Sequence, residues 1–291
     1  MTPWQLKLER WIQRACELEV LSPKPGNVCP GHDFEDASAE DFLKSAAAIA
    51  PELASLQPSL GVSILKAVQA TRNVVSHNTN LGIILLIAPL ARVPENRSLS
   101  EGITEVLEGT TVEDSRLVYE AIRLASPGGL GNAESQDVQS LPTETLTACM
   151  QLAVDRDLIA RQYVTGFRDV LTTGVDLLKD VQQSEACQKS QVTTLALRLL
   201  SMFPDSLIQR RCGEADAIAV QRKAQEVIVA GWPGSSASKT LYAQFDDYLR
   251  ADGHHRNPGT TADLVAAILF AAQREGWYEI SALQPGGLSE R

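Results

Sequence analysis

The sequence predicts an all-α fold, a single compact domain over residues 1–291 with about a dozen helices and a polar cleft lined by the loops between them. Three observations support this prediction. Apolar residues recur at helical spacing along most of the chain. No run of alternating β-branched and polar residues is followed by a hairpin turn. The composition, with 44% hydrophobic and 21% charged residues, is that of a globular protein with a sizeable core.

Composition and charge also exclude several classes of protein. The formal net charge of -10 argues against broad electrostatic binding to nucleic acid or to an anionic membrane. The five cysteines are widely spaced, which predicts neither a disulfide framework nor a zinc finger. The first 21 residues are charged throughout and lack the apolar centre of a secretory signal. We therefore expect a cytoplasmic protein that binds small molecules.

The first helix is predicted by apolar residues at helical spacing and ends near Glu19. Its apolar positions are Trp4, Leu8, Trp11, Ile12 and Ala15. A loop rich in proline and glycine, residues 22–38, cannot continue this helix. Ser38 followed by Asp41 resembles a capping box and predicts a second helix that runs to about Leu53.

The same periodicity predicts the remaining helical segments. Their approximate ranges are 58–75, 81–91, 112–125, 142–181, 185–203, 214–231, 236–253 and 260–276. Residues 81–91 are apolar on all sides, which predicts a buried helix, and they are too few to cross a bilayer. Five polar interruptions carry the candidate chemistry, and they are residues 22–36, 76–82, 126–132, 203–213 and 254–263.

Most of these polar residues have a structural interpretation beside a functional one. Lys24, between two prolines, is either an anion contact on a stiff backbone or a surface lysine. Arg210 and Arg211 are either a phosphate clamp or side chains that are solvated or paired with a carboxylate. Asp263 is either a helix-dipole partner or an exposed carboxylate for a metal-bound phosphate or a ribose hydroxyl. A position at the helix N-terminus predicts a low pKa for Asp263, which favours a metal ligand or a stabiliser of positive charge over a general acid.

The acidic stretch "GHDFED" suggests a magnesium site. Asp33 and Asp36 lie three residues apart, and carboxylate oxygens with few nitrogen ligands suit Mg²⁺. His77, His254 and His255 are interpreted as loop or cap histidines. The glycine-rich loop at 126–132 follows a helix rather than a strand, so it predicts a helix C-cap and turn instead of a Rossmann or Walker motif.

Five stretches, in this order and spacing, resemble the triphosphoribosyl-dephospho-CoA synthase family: "EVLSPKPGN", "HDFED", "NTNLG", "DSLIQRRCG" and "NPGTTADLVAA". The resemblance covers most of the chain, from about Cys16 to Gly276. Members of this family are all-helical enzymes that join ATP to 3′-dephospho-CoA and release adenine. The resemblance therefore implies a Mg²⁺-dependent pentosyltransferase that acts on ATP and on dephospho-CoA or a related cofactor precursor.

The resemblance also implies which residues form the site. The implied catalytic residues are Asp36, Asp205 and Asp263. The residues implied to bind the nucleotide or its phosphates are Lys24, Gly26, Asn78, Thr79, Asn80, Arg211, Gly259 and Thr260. Asp33 and Asp36 are the expected Mg²⁺ ligands.

The chain departs from the family pattern at two places. Asn80 and Leu81 stand where the family has His-Lys, so a cation that could face the triphosphate is lost. Phe34 stands at the position of a family histidine. These departures resemble a divergent branch associated with the synthesis of one-carbon carrier (methanopterin-type) cofactors. Two alternatives stay open: a related transferase in that synthesis, and a helical nucleotide-binding module that has lost catalysis.

Overall fold

The structure, a computed structural model, describes residues 1–129, 131 and 133–281. Over this part of the chain it contains fourteen α-helices, one π-helical turn and no β-strand. The predicted all-α class is therefore confirmed. The last ten residues of the predicted domain, 282–291, and two residues of the glycine-rich loop, Leu130 and Asn132, lie outside the described residues.

The helices follow one another with short connections. In chain order they are α1 (Pro3–Leu21), α2 (Ala39–Ala54), α3 (Leu60–Val74), α4 (Leu81–Ala91), α5 (Leu99–Glu108), α6 (Val112–Ala125), α7 (Leu146–Gln151), α8 (Leu158–Thr165), α9 (Val175–Ser184), α10 (Gln188–Met202), α11 (Ser206–Cys212), α12 (Glu214–Val229), α13 (Ser236–Arg250) and α14 (Gly259–Arg274). The π-helical turn, Asp169–Gly174, precedes α9. The segment predicted as helical over 142–181 is broken by Gly166, whose φ of 63° ends α8.

Side-chain caps set several helix starts. At α2 the side chain of Ser38 accepts a hydrogen bond from the N–H of Asp41, and the Asp41 carboxylate accepts one from the N–H of Ser38. The capping box predicted there is therefore confirmed. Helix α5 was not predicted, although Ser98 and Glu101 form a capping box of the same type at its start.

Helix α14 runs through the centre of the core. Every residue from Thr260 to Gln273 is buried except Asp263, which is partly buried at the cavity. The helix packs against α1, α4 and α10. Such all-round burial explains why the middle of the helix, residues 264–272, is entirely apolar. The carboxylate of Asp263 is consequently the position on α14 that needs a functional explanation.

Helix α4 is the second buried helix and packs against α14. All its residues except Gly82 are buried, as the uniformly apolar sequence predicted. The first turns of both helices, at Leu81 and Gly82 in α4 and at Gly259 and Thr260 in α14, line the same cavity. Among the helices of the described residues, none combines the length and the apolarity that a membrane span requires.

Candidate active site

The polar loops meet around one cavity of about 1160 Å³. Each of the five loops contributes to its wall: Asp36 from the first loop, Asn78 from the second, Gly128 from the third, Arg211 from the fourth and Thr260 from the fifth. Helices α4 and α14 fix two of these loops at their buried first turns. The cavity is therefore the place where distant parts of the chain bring their polar groups together.

Eight of the residues predicted to form the site line this cavity, and four do not. The eight are Asp36, Asn78, Thr79, Asn80, Arg211, Gly259, Thr260 and Asp263. The four are Lys24, Gly26, Asp33 and Asp205. Each of these four has a contact that explains its place.

Lys24 lies beneath the cavity wall instead of on it. The side chain is buried, and its ammonium lies 2.9 Å from Oε1 of Glu19 and donates hydrogen bonds to the carbonyls of Glu19 and Ser22. All three contacts lie inside the protein, so the structure does not offer this ammonium to a phosphate. Lys24 instead holds the carboxylate of Glu19, which does line the cavity.

Gly26 serves the packing of the first loop on α13. Its N–H donates to Oδ1 of Asp246 at 2.6 Å, so it is not available to a nucleotide. The residue has φ of 67°, and a Cβ there would lie 2.5 Å from Cβ of Leu249. Only glycine tolerates both the left-handed backbone and the close approach.

Asp33 is engaged at the start of α2, where its Oδ1 accepts a hydrogen bond from the N–H of Ala39 at 2.8 Å. Asp36 is exposed and lines the cavity, so the two expected Mg²⁺ ligands have different surroundings. In the part of the chain that the structure describes, no group of three or more His, Cys, Asp and Glu side chains could hold a metal ion. The residues present therefore fit a Mg²⁺ ion that brings other ligands with it, such as substrate phosphates, better than a metal centre built from protein alone.

Asp205 is a structural carboxylate that joins two helix starts. Its Oδ1 accepts hydrogen bonds from the N–H groups of Leu207 and Ile208, at 2.8 and 3.1 Å, and so caps α11. Its Oδ2 accepts from the N–H and the hydroxyl of Thr261 in α14, at 2.7 and 2.8 Å. The side chain is fully buried and all four bonds lie within the protein, so its contacts are those of a positioning residue and not of a group that touches substrate. Burial raises the pKa of Asp205, and the bonds from Thr261 oppose that rise.

Asp263 faces the cavity from α14, and its carboxyl group packs against Gly82 of α4. A Cβ on Gly82 would overlap Oδ2 of Asp263, so glycine at position 82 makes room for this carboxylate. Burial raises the pKa of Asp263 well above its usual value, and the negative charges of Glu19 and Asp205 raise it further. The prediction of a low pKa was wrong because α14 begins at Gly259, which places Asp263 beyond the first turn where the helix dipole acts.

Glu19 is a cavity residue that the sequence analysis missed. It lies near the end of α1, is buried and pairs with Lys24. Burial raises the pKa of Glu19, and the charge of Lys24 lowers it. Asp263 has no ion-pair partner among the described residues, so the two carboxyl groups differ in their surroundings. The signal in the sequence was a glutamate on the buried face of α1, five residues before a lysine in a rigid loop.

Three arginines supply positive charge to the cavity wall. Arg210 forms an ion pair with Asp157 at 2.6 Å. Arg156 and Arg211 are exposed, and neither pairs with a carboxylate among the described residues. A Cβ on Gly128 would lie 3.2 Å from Nη2 of Arg211, so the glycine loop packs closely on this guanidinium. Arg156 and Arg211 are the cations best placed to meet an anion that enters the cavity.

The start of α4 contributes polar side chains that are largely engaged with each other. Oδ1 of Asn78 accepts from the N–H of Leu81 at 3.1 Å, and the hydroxyl of Thr79 lies 2.6 Å from that of Ser45. Oδ1 of Asn80 accepts from the hydroxyl of Thr71 at 3.0 Å. This leaves the buried Nδ2 of Asn80 with no hydrogen-bond partner in the described part of the chain. An unpaired buried donor on a cavity wall is suited to a substrate acceptor.

His77 lies in the loop before α4, as the sequence analysis predicted. It lines the cavity, and its Nε2 lies 3.9 Å from Oδ2 of Asp41. The sequence interpretation as a loop or cap histidine gave no sign of this neighbour.

Comparisons with known proteins agree with one another. A family model described as ATP:dephospho-CoA triphosphoribosyl transferase matches residues 5–281. The chain is 30% identical over 105 residues to a protein of Pseudomonas paraeruginosa named "Probable 2-(5''-triphosphoribosyl)-3'-dephosphocoenzyme-A synthase", an alignment that covers 36% of this chain and 35% of that relative. A solved structure titled "Crystal structure of putative triphosphoribosyl-dephospho-coA synthase from Archaeoglobus fulgidus" is 27% identical, with a TM-score of 0.65 over 81% of this chain and 100% of that one. The family resemblance found in the sequence is thereby confirmed.

Proposed function

Because the chain belongs to the ATP:dephospho-CoA triphosphoribosyl transferase family, we propose that it transfers the triphosphoribosyl group of ATP to 3′-dephospho-CoA and releases adenine. The observation that carries this proposal is the cavity, in which the carboxyl group of Asp263 and the guanidinium groups of Arg156 and Arg211 face the same space, none of them in an ion pair among the described residues. The carboxyl group suits chemistry at the sugar. The two guanidinium groups suit binding of the triphosphate.

The cavity is large enough to hold two substrates at once. Single-ligand pockets have volumes of about 300–1,000 Å³. The cavity here, at about 1160 Å³, exceeds that range. Transfer between two nucleotides requires both to lie in one site with the reacting atoms in contact.

In the proposed reaction the bond between C1′ of the ATP ribose and the adenine nitrogen breaks. A new bond forms between C1′ and the ribose 2′-hydroxyl oxygen of dephospho-CoA, and that hydroxyl loses its proton. Positive charge develops at C1′ as adenine departs, as in glycoside hydrolysis. Adenine is a poor leaving group unless it receives a proton, so an acid on the adenine side and a base on the hydroxyl side both accelerate the transfer.

Asp263 is the proposed proton donor to the leaving adenine. Its raised pKa keeps the carboxyl protonated to higher pH than an ordinary aspartate, which is the state a general acid needs. After donation the carboxylate can stabilise the positive charge at C1′. Gly82 makes this position of the side chain possible, because a Cβ at residue 82 would overlap Oδ2 of Asp263.

Arg156 and Arg211 are the proposed triphosphate contacts. They take over the charge that the family lysine would supply, since Leu81 occupies that position and lines the cavity. Mg²⁺ would enter as part of the ATP substrate and would neutralise phosphate charge, with Asp36 as its protein ligand. The N-terminal ends of α4 and α14 lie at the cavity, and the helix dipole at each end favours negative charge.

The experiment that tests this function is the release of adenine from Mg-ATP, followed by chromatography with and without dephospho-CoA. We expect release that requires dephospho-CoA and equals the amount of conjugate formed. ATP binding without release of adenine would support the inactive nucleotide-binding module. Release that requires a different cofactor precursor would support the related transferase of the divergent branch.

A further inference from the structure

A second group of cavity residues lies where the first and last loops meet, and the reaction chemistry above does not use it. It consists of Phe34 and Asn27 from the first loop and His254 and Asn257 from the segment before α14. We refer to these four residues as the Phe34 cluster. Their side chains offer ring faces together with amide hydrogen-bonding groups.

The two rings form an aromatic section of the cavity wall. The centroids of Phe34 and His254 lie 4.2 Å apart, and the ring planes are inclined by 41°. Both rings are held by local structure. The N–H of Phe34 donates to the carbonyl of Ala37 at 2.8 Å, and the carbonyl of His254 accepts from the N–H of Asn257 at 3.1 Å.

His254 is held in an uncommon backbone conformation. Its φ of 66° lies in the left-handed region, which few residues with a side chain adopt. Such strain persists where the surroundings over-determine it, and it is concentrated at binding sites. Burial and the nearby charge of Arg250 lower the pKa of His254, so its ring is neutral at physiological pH.

The two amides present a complementary donor and acceptor. Nδ2 of Asn27 donates to Oδ1 of Asn257 at 3.0 Å, which fixes the orientation of both groups. Oδ1 of Asn27 and Nδ2 of Asn257 then have no hydrogen-bond partner among the described residues, and neither atom is sealed from solvent. Asn27 itself is held by its carbonyl, which accepts from Nη2 of Arg250 at 2.9 Å.

We propose that the Phe34 cluster is the binding site for the adenine ring of a nucleotide substrate. The ring lies against Phe34 and His254, its amino group donates to Oδ1 of Asn27, and a ring nitrogen accepts from Nδ2 of Asn257. An amide donor beside an amide acceptor matches this edge of adenine, and stacking on aromatic side chains binds any base. This inference deepens the proposed function and rests on it for the identity of the substrates.

Asn257→Asp separates recognition from structure. The new carboxylate can still accept the hydrogen bond from Asn27, so the bridge between the loops is kept, while the donor to adenine is lost. Adenosine is the appropriate probe because it is neutral and is not repelled by the added charge. By calorimetry we expect Asn257→Asp to weaken adenosine binding about tenfold or more, which corresponds to one good hydrogen bond to a base. Asn96→Asp, the same change in an exposed turn that does not line the cavity, should have no effect.

Phe34→Leu tests the aromatic wall independently. Leucine keeps the packing of position 34 on Val20, Val28 and Ala39 but removes the ring. We expect this variant to lose adenosine affinity about tenfold and to bind inorganic tripolyphosphate as the wild type does. Phe34→Tyr should retain adenosine binding.

In steady-state assays of Phe34→Leu, a rise in the KM for ATP or in the KM for dephospho-CoA identifies which substrate places its adenine here.

The inference is overturned if wild-type protein does not bind adenosine, or if both Asn257→Asp and Phe34→Leu bind it as tightly as wild type. Wild-type protein that binds adenosine with these sensitivities but releases no adenine from ATP would instead contradict the proposed function and leave the inference intact.

Discussion

Burial and the neighbouring carboxylates raise the pKa of Asp263, the charge of Arg210 opposes that rise, and no side chain of the described residues forms an ion pair with this carboxyl group. The neighbouring carboxyl groups, in contrast, have contacts that stabilise their charged form. Glu19 has the ammonium of Lys24 at 2.9 Å, and Asp205 accepts four hydrogen bonds. Among the described residues, Asp263 is the one of the three carboxyl groups with no ion pair and no hydrogen bond, and we assign it to proton transfer.

Asp263→Asn should reduce the rate of adenine release by about 10²-fold or more, because the amide keeps the shape of the side chain but cannot donate the proton. The measurement is kcat at saturating substrates, with tripolyphosphate binding as the control for an intact site. A variant with wild-type kcat would remove Asp263 from the reaction.

Asp263→Asn should also become more stable relative to the wild type as the pH rises. The pKa of Asp263 is higher in the folded protein than in the unfolded chain, so the folded state binds more protons between those two pKa values and wild-type stability falls with rising pH through that window. The variant has no such group. Its melting temperature minus that of wild type should therefore grow with pH, by roughly 2 °C for each kcal/mol. A constant or shrinking difference would contradict the raised pKa.

The double variant Glu19→Gln/Lys24→Met tests how the acid is tuned. Both charges of the buried pair are removed together, because removal of one alone would leave the other uncompensated. Without the negative charge of Glu19 the pKa of Asp263 falls, so the loss of activity at high pH should begin at lower pH. Glu17→Gln on the same helix is the control, since Glu17 bonds to Gln13 and does not line the cavity. An unmoved pH profile would show that Glu19 does not act on the acid.

Arg211→Lys should weaken ATP binding about tenfold although the charge is kept, because lysine cannot reproduce the parallel N–H donors of a guanidinium. Calorimetry with ATP measures this loss, and adenosine binding should not change. Arg222→Lys, an exposed position on α12 away from the cavity, provides the matched control. Equal ATP affinity in Arg211→Lys and wild type would place the triphosphate elsewhere.

At the scale of elements, the crossing of α4 and α14 depends on Gly82. A Cβ there would overlap the Asp263 carboxylate and lie 2.9 Å from Cδ1 of Ile159. Gly82→Ala should therefore destabilise the protein by about 1–3 kcal/mol, as for other overpacked contacts, and should also reduce activity. The measurement is denaturant unfolding.

Asp263→Ala provides the second arm of a double-mutant cycle for this contact. In that background the carboxylate is absent, so most of the penalty of Gly82→Ala should disappear. Equal penalties in both backgrounds would show that the cost arises from the backbone of α4 and not from the pair.

The elements also show what the sequence could predict. Helices α1, α2 and α4 follow from apolar spacing and a capping box, which are local properties of the chain. The pairing of Asp205 with Thr261 depends on how separate elements pack, and that of Lys24 with Glu19 depends on how the first loop folds back on the end of α1. Composition does not show which partner such a buried side chain takes, so Lys24 and Asp205, both predicted to meet substrate, make contacts within the protein instead.

At the scale of the whole molecule, the helices form a frame that brings five loops to one cavity. The motifs of these loops are recognisable in the sequence because each combines glycine or proline with polar groups. That these loops meet at one cavity was an expectation without a local signal in the sequence. It depends on α4 and α14 packing side by side with their first turns at that cavity. The aromatic and amide contacts of the Phe34 cluster join residues far apart in sequence and had no local signal.

The most direct test of the account is a crystal structure of Asp263→Asn with Mg-ATP and dephospho-CoA, because the slow variant should retain both substrates. We predict both nucleotides in the one cavity, with C1′ of the ATP ribose beside residue 263 and the triphosphate on Arg211. Nucleotide bound outside the cavity, or an ATP ribose away from residue 263, would contradict the assignment of this cavity as the transferase site.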